Sequence, residues 1–231
     1  MNNEIAILMA AGMGTRMRPL TDMIAKPLVK VRGVPLIETV ISALDRRGVD
    51  RIYVVVGYHK EQFNAVARRH PNVTLVVNPD YETKNNISSV AAVASEIRGR
   101  NCFVCEADLF VAKPDLLLGE YGSCYFAKFV PGRSDDWVFD VADGRVTGVH
   151  KAGTDAWNMV GVAYLKAPEA TAVADAVEKA MADPTNWPLF WDDIVDRICG
   201  DINLGIHEIK PGDIVECDTM EDLRNLEQDI A

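Results

Sequence analysis

Four short β-rich runs, EIAILMA (4–10), RIYVVVG (51–57), VTLVVN (73–78) and NCFVCEA (101–107), alternate along the first half of the chain with helical patterns. Between the first two, Ile37, Val40, Ile41 and Leu44 keep the i, i+3, i+4, i+7 spacing of an amphipathic helix, and KEQFNAVARRH and ISSVAAVASEI read similarly. Such alternation builds βαβ units, so the fold class predicted is α/β, a mainly parallel Rossmann-like sheet flanked by helices. From about Ser123 the pattern changes to SCYFAKFV, WVFDV, RVTGVH and MVGVAYL, broken by turn signals such as Asp143-Gly144, which predicts a smaller antiparallel insert. Helical patterns around Glu169 to Met181 and Trp187 to Ile198, a strand pair near INLGIHEI and DIVECD, and a short helix from Thr219 complete the reading.

With 231 residues, 48% of them hydrophobic, the chain can bury one sizeable core without disulfides or a structural metal, and a single domain over 1–231 is expected. A formal net charge of -10 leaves no basic excess for the phosphates of a duplex, which argues against a nucleic-acid partner. The N-terminal MNNEIAILMAAG reads as a strand rather than a signal peptide, and no apolar run approaches the roughly 20 residues of a membrane span, so no membrane insertion is expected. Cys102 and Cys105 form a CxxC, but on a strand residues three apart point to opposite faces, so buried thiols are expected rather than a redox or zinc pair. The five cysteines are odd in number, and a reducing cytoplasm is expected. Oligomeric state is not legible.

Immediately after the first run comes AAGMGTRMRPLT, residues 10–21. Gly12 and Gly14 let backbone amides approach phosphate oxygens, Arg16 and Arg18 supply guanidinium forks, and Lys26 in AKPL can reach the same place as a point charge. The run is not a dinucleotide fingerprint, because it lacks the third glycine and has Pro19 where the helix should run. Nor is it a Walker loop, because no lysine follows the second glycine directly. Nucleotidyl transfer needs positioning and neutralisation of oxygen charge, usually with Mg²⁺ on hard carboxylate ligands. Asp108 in CEADLF sits where a parallel strand delivers residues to a cleft, and Glu106 shares its strand face. Asp218 in IVECDTMEDL precedes the last helix, where the alternative reading is a helix cap.

The loop and the downstream KP resemble the GxGxRxxPxT signature of nucleotidyltransferases that activate sugar phosphates and related compounds. YETKNNISSVAAV, VGYHKEQF, the DDWVF segment, HKAG to GVAYLKAP and LFWDDIV are similar to bacterial phosphocholine cytidylyltransferases. The resemblance implies that Ala11, Gly12, Met13 and Gly14 wrap the triphosphate of CTP, that Arg16 and Lys26 are catalytic, and that Asp108 and Asp218 hold Mg²⁺. Residues 1–122 would then bind the nucleotide and 123–231 the second substrate. Asn85, Asn86 and Ser89 are expected base or ribose contacts, because amides and hydroxyls can read the cytosine edge.

Phosphocholine is the second substrate the resemblance implies, with CDP-choline and pyrophosphate as products. A quaternary ammonium cannot donate hydrogen bonds and is held by aromatic faces and nearby negative charge, so a cage of Asp136, Trp137, Trp191 and Asp192 is expected. The alternatives are 2-aminoethylphosphonate, phosphoethanolamine or a sugar 1-phosphate in the same chemistry, and a catalytically silent nucleotide-sensing protein.

Overall fold

The computed structural model describes residues 3–228. Among these residues the main sheet has seven strands. The first parallel group is β1 (Glu4–Ala10), followed after two short strands, β2 (Lys30–Val31) and β3 (Val34–Pro35), and helix α1 (Leu36–Arg47) by β4 (Arg51–Val56). Helix α2 (Asn64–Arg69) leads to β5 (Val73–Val77), then α3 (Ile87–Ala91) and α4 (Ala94–Ile97) return the chain to β6 (Asn101–Glu106). β1 pairs in parallel with β4 on one side and β6 on the other. The chain therefore reverses its direction of travel across the sheet at β1, the switch point beyond whose strand ends open α/β sheets bind ligands.

Strand alternation sorts the core into two layers. Ala6, Leu8 and Ala10 face α1 and α2, while Ile5 and Ile7 face the helices of the other side. α1 closes on Gly48, whose φ of 79° lets its amide meet the carbonyls of Asp45 and Leu44. Cys102 and Cys105 fall in opposite layers, as expected, and all five cysteines are free and buried.

After β7 (Leu109–Val111) come two long strands, β8 (Cys124–Ala142) and β9 (Arg145–Leu165), joined at Asp143-Gly144. The four strands read separately from the sequence are thus two, bent by repeated register shifts rather than broken. Beyond α5 (Ala167–Met181) and α6 (Trp191–Ile198) lie β10 (Gly205–Glu208), β11 (Ile214–Glu216) and α7 (Met220–Gln228). β10 and β11 do not pair with each other as expected: β10 joins β8 at the sheet edge and β11 runs against β7. ISSVAAVASEI is likewise two short helices rather than one, interrupted at Val93. Among the described residues no helix is long and apolar enough to cross a membrane.

Candidate active site

Residues 11–28 leave β1 as a loop of three short 3-10 turns with a small core of its own. Met17, Val29, Val31 and Leu36 pack with Cys217 and Leu226, so the last helix clamps the loop. Gly14 adopts φ 61°, and a Cβ there would lie 3.0 Å from both Lys26 Cβ and Thr21 Cγ2. The glycine is required because the lysine stem passes against it. Thr21 Oγ1 donates to the Gly14 carbonyl at 2.8 Å, holding the turn in place.

That turn aims Lys26 into the cleft beyond β1 and β6. Its Nζ lies 2.5 Å from Asp108 Oδ2 and also bonds Asp218, while Arg16 pairs with the other oxygen of Asp218 at 2.8 Å. The four residues named from the resemblance are thereby brought together. Burial lowers the tendency of Lys26 to stay protonated, but Asp108 and Asp218 more than reverse this and hold its pKa well above the usual range. It is a fixed cation. Against the same burial, Lys26 and Arg16 keep Asp218 below the ordinary carboxylate range.

Asp218 does not cap α7. Thr219 and Asp222 do so reciprocally, Asp222 Oδ2 accepting from the Thr219 amide at 2.7 Å and Thr219 Oγ1 accepting from the Asp222 amide at 3.1 Å. The carboxylate of Asp218 is left to the cleft.

Among the described residues, the carboxylates that can close around one cation are Glu106, Asp108 and Glu216, with one oxygen of each lying within 4.8 Å of the others. Burial, then Glu216 and Asp108, push Glu106 well above the carboxylate range. Burial, then Asp108 and Asp218, push Glu216 up to about 8. A set of hard oxygen donors whose charges repel until a divalent cation joins them fits magnesium. Glu216 was missed in the sequence, although VECD repeats the E-x-D spacing of CEAD and places both acids of each pair on one face.

On the side where the nucleotide is expected, a cavity of about 260 Å³ is lined by Ala11, Gly12, Asn85, Asn86 and Ser89, and also by Asn78, Tyr81 and Lys84, which sequence reasoning missed. Met13 lines none of this cleft and is exposed. Asn78 donates to Ser88 and Ser89 at 2.8 and 3.2 Å, fixing the start of α3. Asn85 donates its amide to the Pro188 carbonyl at 3.0 Å, and Asn86 Oδ1 accepts the Trp191 amide at 2.9 Å. The two asparagines thus staple this wall to the start of α6, which leaves fewer of their polar atoms for a base than expected.

On the side where the second substrate is expected, about 490 Å³ of cleft is lined by Arg16, Lys128, Asp135, Asp136, Trp137, Lys151 and Phe190, within the roughly 300–1,000 Å³ of small-molecule sites. Trp137 meets Phe190 edge to face at 5.4 Å, and both are half-buried. The expected four-residue cage is not formed. Trp191 is 3% exposed and stacks at 5.7 Å on Tyr125, and Asp192 is 2% exposed and accepts the Tyr125 hydroxyl at 2.9 Å. Both belong to the packing between α6 and the sheet, and only Asp136 and Trp137 of the cage open to the cleft.

Burial raises the Asp192 carboxyl to about 7, with the Tyr125 hydrogen bond acting the other way. Folded Asp192 therefore keeps a proton that the unfolded chain has lost, and stability falls as pH rises from about 4 towards 7, by a few kcal/mol at most. Asp192→Asn is expected to flatten the dependence of melting temperature on pH over that window and to raise it at pH 8. Parallel melting curves of the two proteins that keep the same slope would contradict this account of the buried acid.

Residues 6–123 match the MobA-like NTP transferase domain family. A 2-aminoethylphosphonate cytidylyltransferase from Lancefieldella rimae is 44% identical over 220 residues, 94% of this chain and 89% of that one. A choline-phosphate cytidylyltransferase from Streptococcus pneumoniae is 32% identical over 224 residues, 96% of each. The solved structure of a CTP:phosphocholine cytidylyltransferase from the same organism superposes with a TM-score of 0.90 at 31% identity, covering 97% of both chains.

Proposed function

We propose, from the premise that this chain belongs to the MobA-like NTP transferase family and is a nucleotidyltransferase, that it transfers the cytidylyl group of CTP to 2-aminoethylphosphonate and releases pyrophosphate. The observation that carries the choice of acceptor is that the cleft offers carboxylates at its mouth without the expected ring of tryptophans. Asp135 and Asp136 are exposed there, and Trp191 and Asp192 are withdrawn into the core. A primary ammonium donates hydrogen bonds and is suited by carboxylate acceptors, whereas trimethylammonium depends on π faces. The 44% identity to a protein named for 2-aminoethylphosphonate supports the same reading, which replaces phosphocholine as the first choice. Phosphocholine stays as the second reading, favoured by the Trp137–Phe190 ring pair.

In this reaction an ionised phosphonate oxygen attacks the α-phosphorus of CTP in line, the bond to the bridging oxygen of the β-phosphate breaks, and pyrophosphate departs. The nucleophile is already deprotonated near neutral pH, so no protein base is required. The backbone at Gly12 and Gly14 lets the triphosphate come close. Lys26 neutralises charge on the α-phosphoryl oxygens and Arg16 on the departing pyrophosphate, both fixed in advance by Asp218. Glu106, Asp108 and Glu216 would hold the magnesium ion, which supplies charge neutralisation at the phosphate oxygens. Lys128, which lines the same cleft, would meet the phosphonate.

The experiment is pyrophosphate release with Mg²⁺, crossing CTP, UTP, ATP, GTP and dTTP against 2-aminoethylphosphonate, phosphocholine, phosphoethanolamine and glucose 1-phosphate. CTP with 2-aminoethylphosphonate is expected to exceed every other pair at least tenfold in kcat/KM. A higher value for phosphocholine would transfer the proposal to the second reading, and silence from all pairs would favour a nucleotide-sensing protein.

A further inference from the structure

Lys151 lies on β9 directly across from Trp137 on β8. Its Nζ is 5.2 Å from the Trp137 ring centroid and 4.6 Å from that of Phe190, within the reach of cation–π attraction to both. Among the described residues no carboxylate comes within ion-pair distance of it, although Asp135 and Asp136 line the same cleft. Asp135 is paired instead with Arg133 at 3.1 Å, and Asp136 Oδ2 receives the Asn158 amide at 3.4 Å. The two rings, rather than an acid, therefore hold the lysine.

We propose that Lys151 is a specificity-determining residue: its ammonium occupies the Trp137–Phe190 ring pair and so denies that site to a quaternary ammonium. The inference rests on the cytidylyltransferase reading of the cleft and adds to it the residue that selects the acceptor. A trimethylammonium has no N–H with which to turn to Asp136, and it meets a like charge on the Trp137 and Phe190 rings that line this cleft. A primary ammonium is free to bond the carboxylates and need not displace the lysine. Selection arises from a protein cation seated in advance where the wrong substrate would bind, an element of exclusion rather than added attraction.

The test measures kcat/KM with CTP for 2-aminoethylphosphonate and phosphocholine in the wild type, Lys151→Met and Lys151→Arg. Methionine keeps an unbranched stem and uncovers the rings; arginine keeps the charge. The side chain is exposed on a strand, so neither substitution threatens folding. Lys151→Met is expected to shift the ratio about tenfold towards phosphocholine, through a lower KM for phosphocholine, while Lys151→Arg holds the ratio near that of the wild type. A ratio that moves less than threefold in Lys151→Met, or an equal fall in kcat on both substrates, would overturn the proposal. A wild type that prefers phosphocholine overturns the lysine argument and the acceptor assignment together; a wild type that prefers 2-aminoethylphosphonate with an unmoved ratio in the variant overturns the lysine alone. Titration with free choline and free ethanolamine reads the same contrast without turnover: choline should gain affinity in Lys151→Met and ethanolamine should not.

Discussion

Lys26→Ala is expected to lower kcat by about 10³-fold, the scale of losing one fixed charge aimed at a transferring phosphoryl group. The residue is 8% exposed, its stem passes against Gly14, and its ammonium joins Asp108 to Asp218. Arg16, the other cation on Asp218, approaches it from a side chain that is 67% exposed and is not held in the cleft as Lys26 is. The substitution also leaves two carboxylates facing each other. Both keep 19% side-chain exposure, so the loss of stability should be smaller than the roughly 3–5 kcal/mol of a fully buried broken pair. Single-turnover kinetics on folded protein separates the two effects. A folded Lys26→Ala with kcat within tenfold of the wild type would remove Lys26 from the chemistry.

The second large effect is on metal dependence. Asp108 belongs both to the carboxylate group that can close on a cation and to the lysine bridge, whereas Asp218 is bound to Lys26 and Arg16. Asp108→Asn should therefore lower the rate by about 10²–10³-fold at fixed magnesium, as losses of fixed transition-state charge do, and raise the magnesium concentration needed for half-maximal rate. Glu216→Gln should raise that concentration as well, and Asp218→Asn should raise it least. Rate against magnesium titrations on the three variants check this order. Half-saturation unchanged in Asp108→Asn and Glu216→Gln but raised in Asp218→Asn would move the ion towards Asp218, the second ligand that the resemblance implies.

Much of this was legible because it is local. The short apolar run EIAILMA reads as a strand, and in the fold Ile5/Ile7 and Ala6/Leu8 fill opposite layers. The glycines, Arg16 and Lys26 lie within one loop whose residue types have few other uses. Asp218 was ambiguous between cap and site until Thr219 and Asp222 were seen to cap α7 between them. Other features depend on partners far along the chain. Asp192 is adjacent to Asp193 in sequence, and only Tyr125, 67 residues away, explains why it is buried. Trp191 could have been placed correctly, because Trp191, Ile194, Val195 and Ile198 keep the i, i+3, i+4, i+7 spacing of a core-facing stripe. Phe190 and Lys151 lie in segments that carry the resemblance but were not singled out; the β8–β9 register and the start of α6 bring them to Trp137.

The most direct measurement of the central claim is a competition in one tube, with CTP, Mg²⁺ and equal concentrations of 2-aminoethylphosphonate and phosphocholine, followed by phosphorus NMR. The account predicts that the free phosphonate signal is replaced by that of a cytidylyl phosphonate in step with pyrophosphate, while phosphocholine remains. Consumption of phosphocholine ahead of the phosphonate would contradict it.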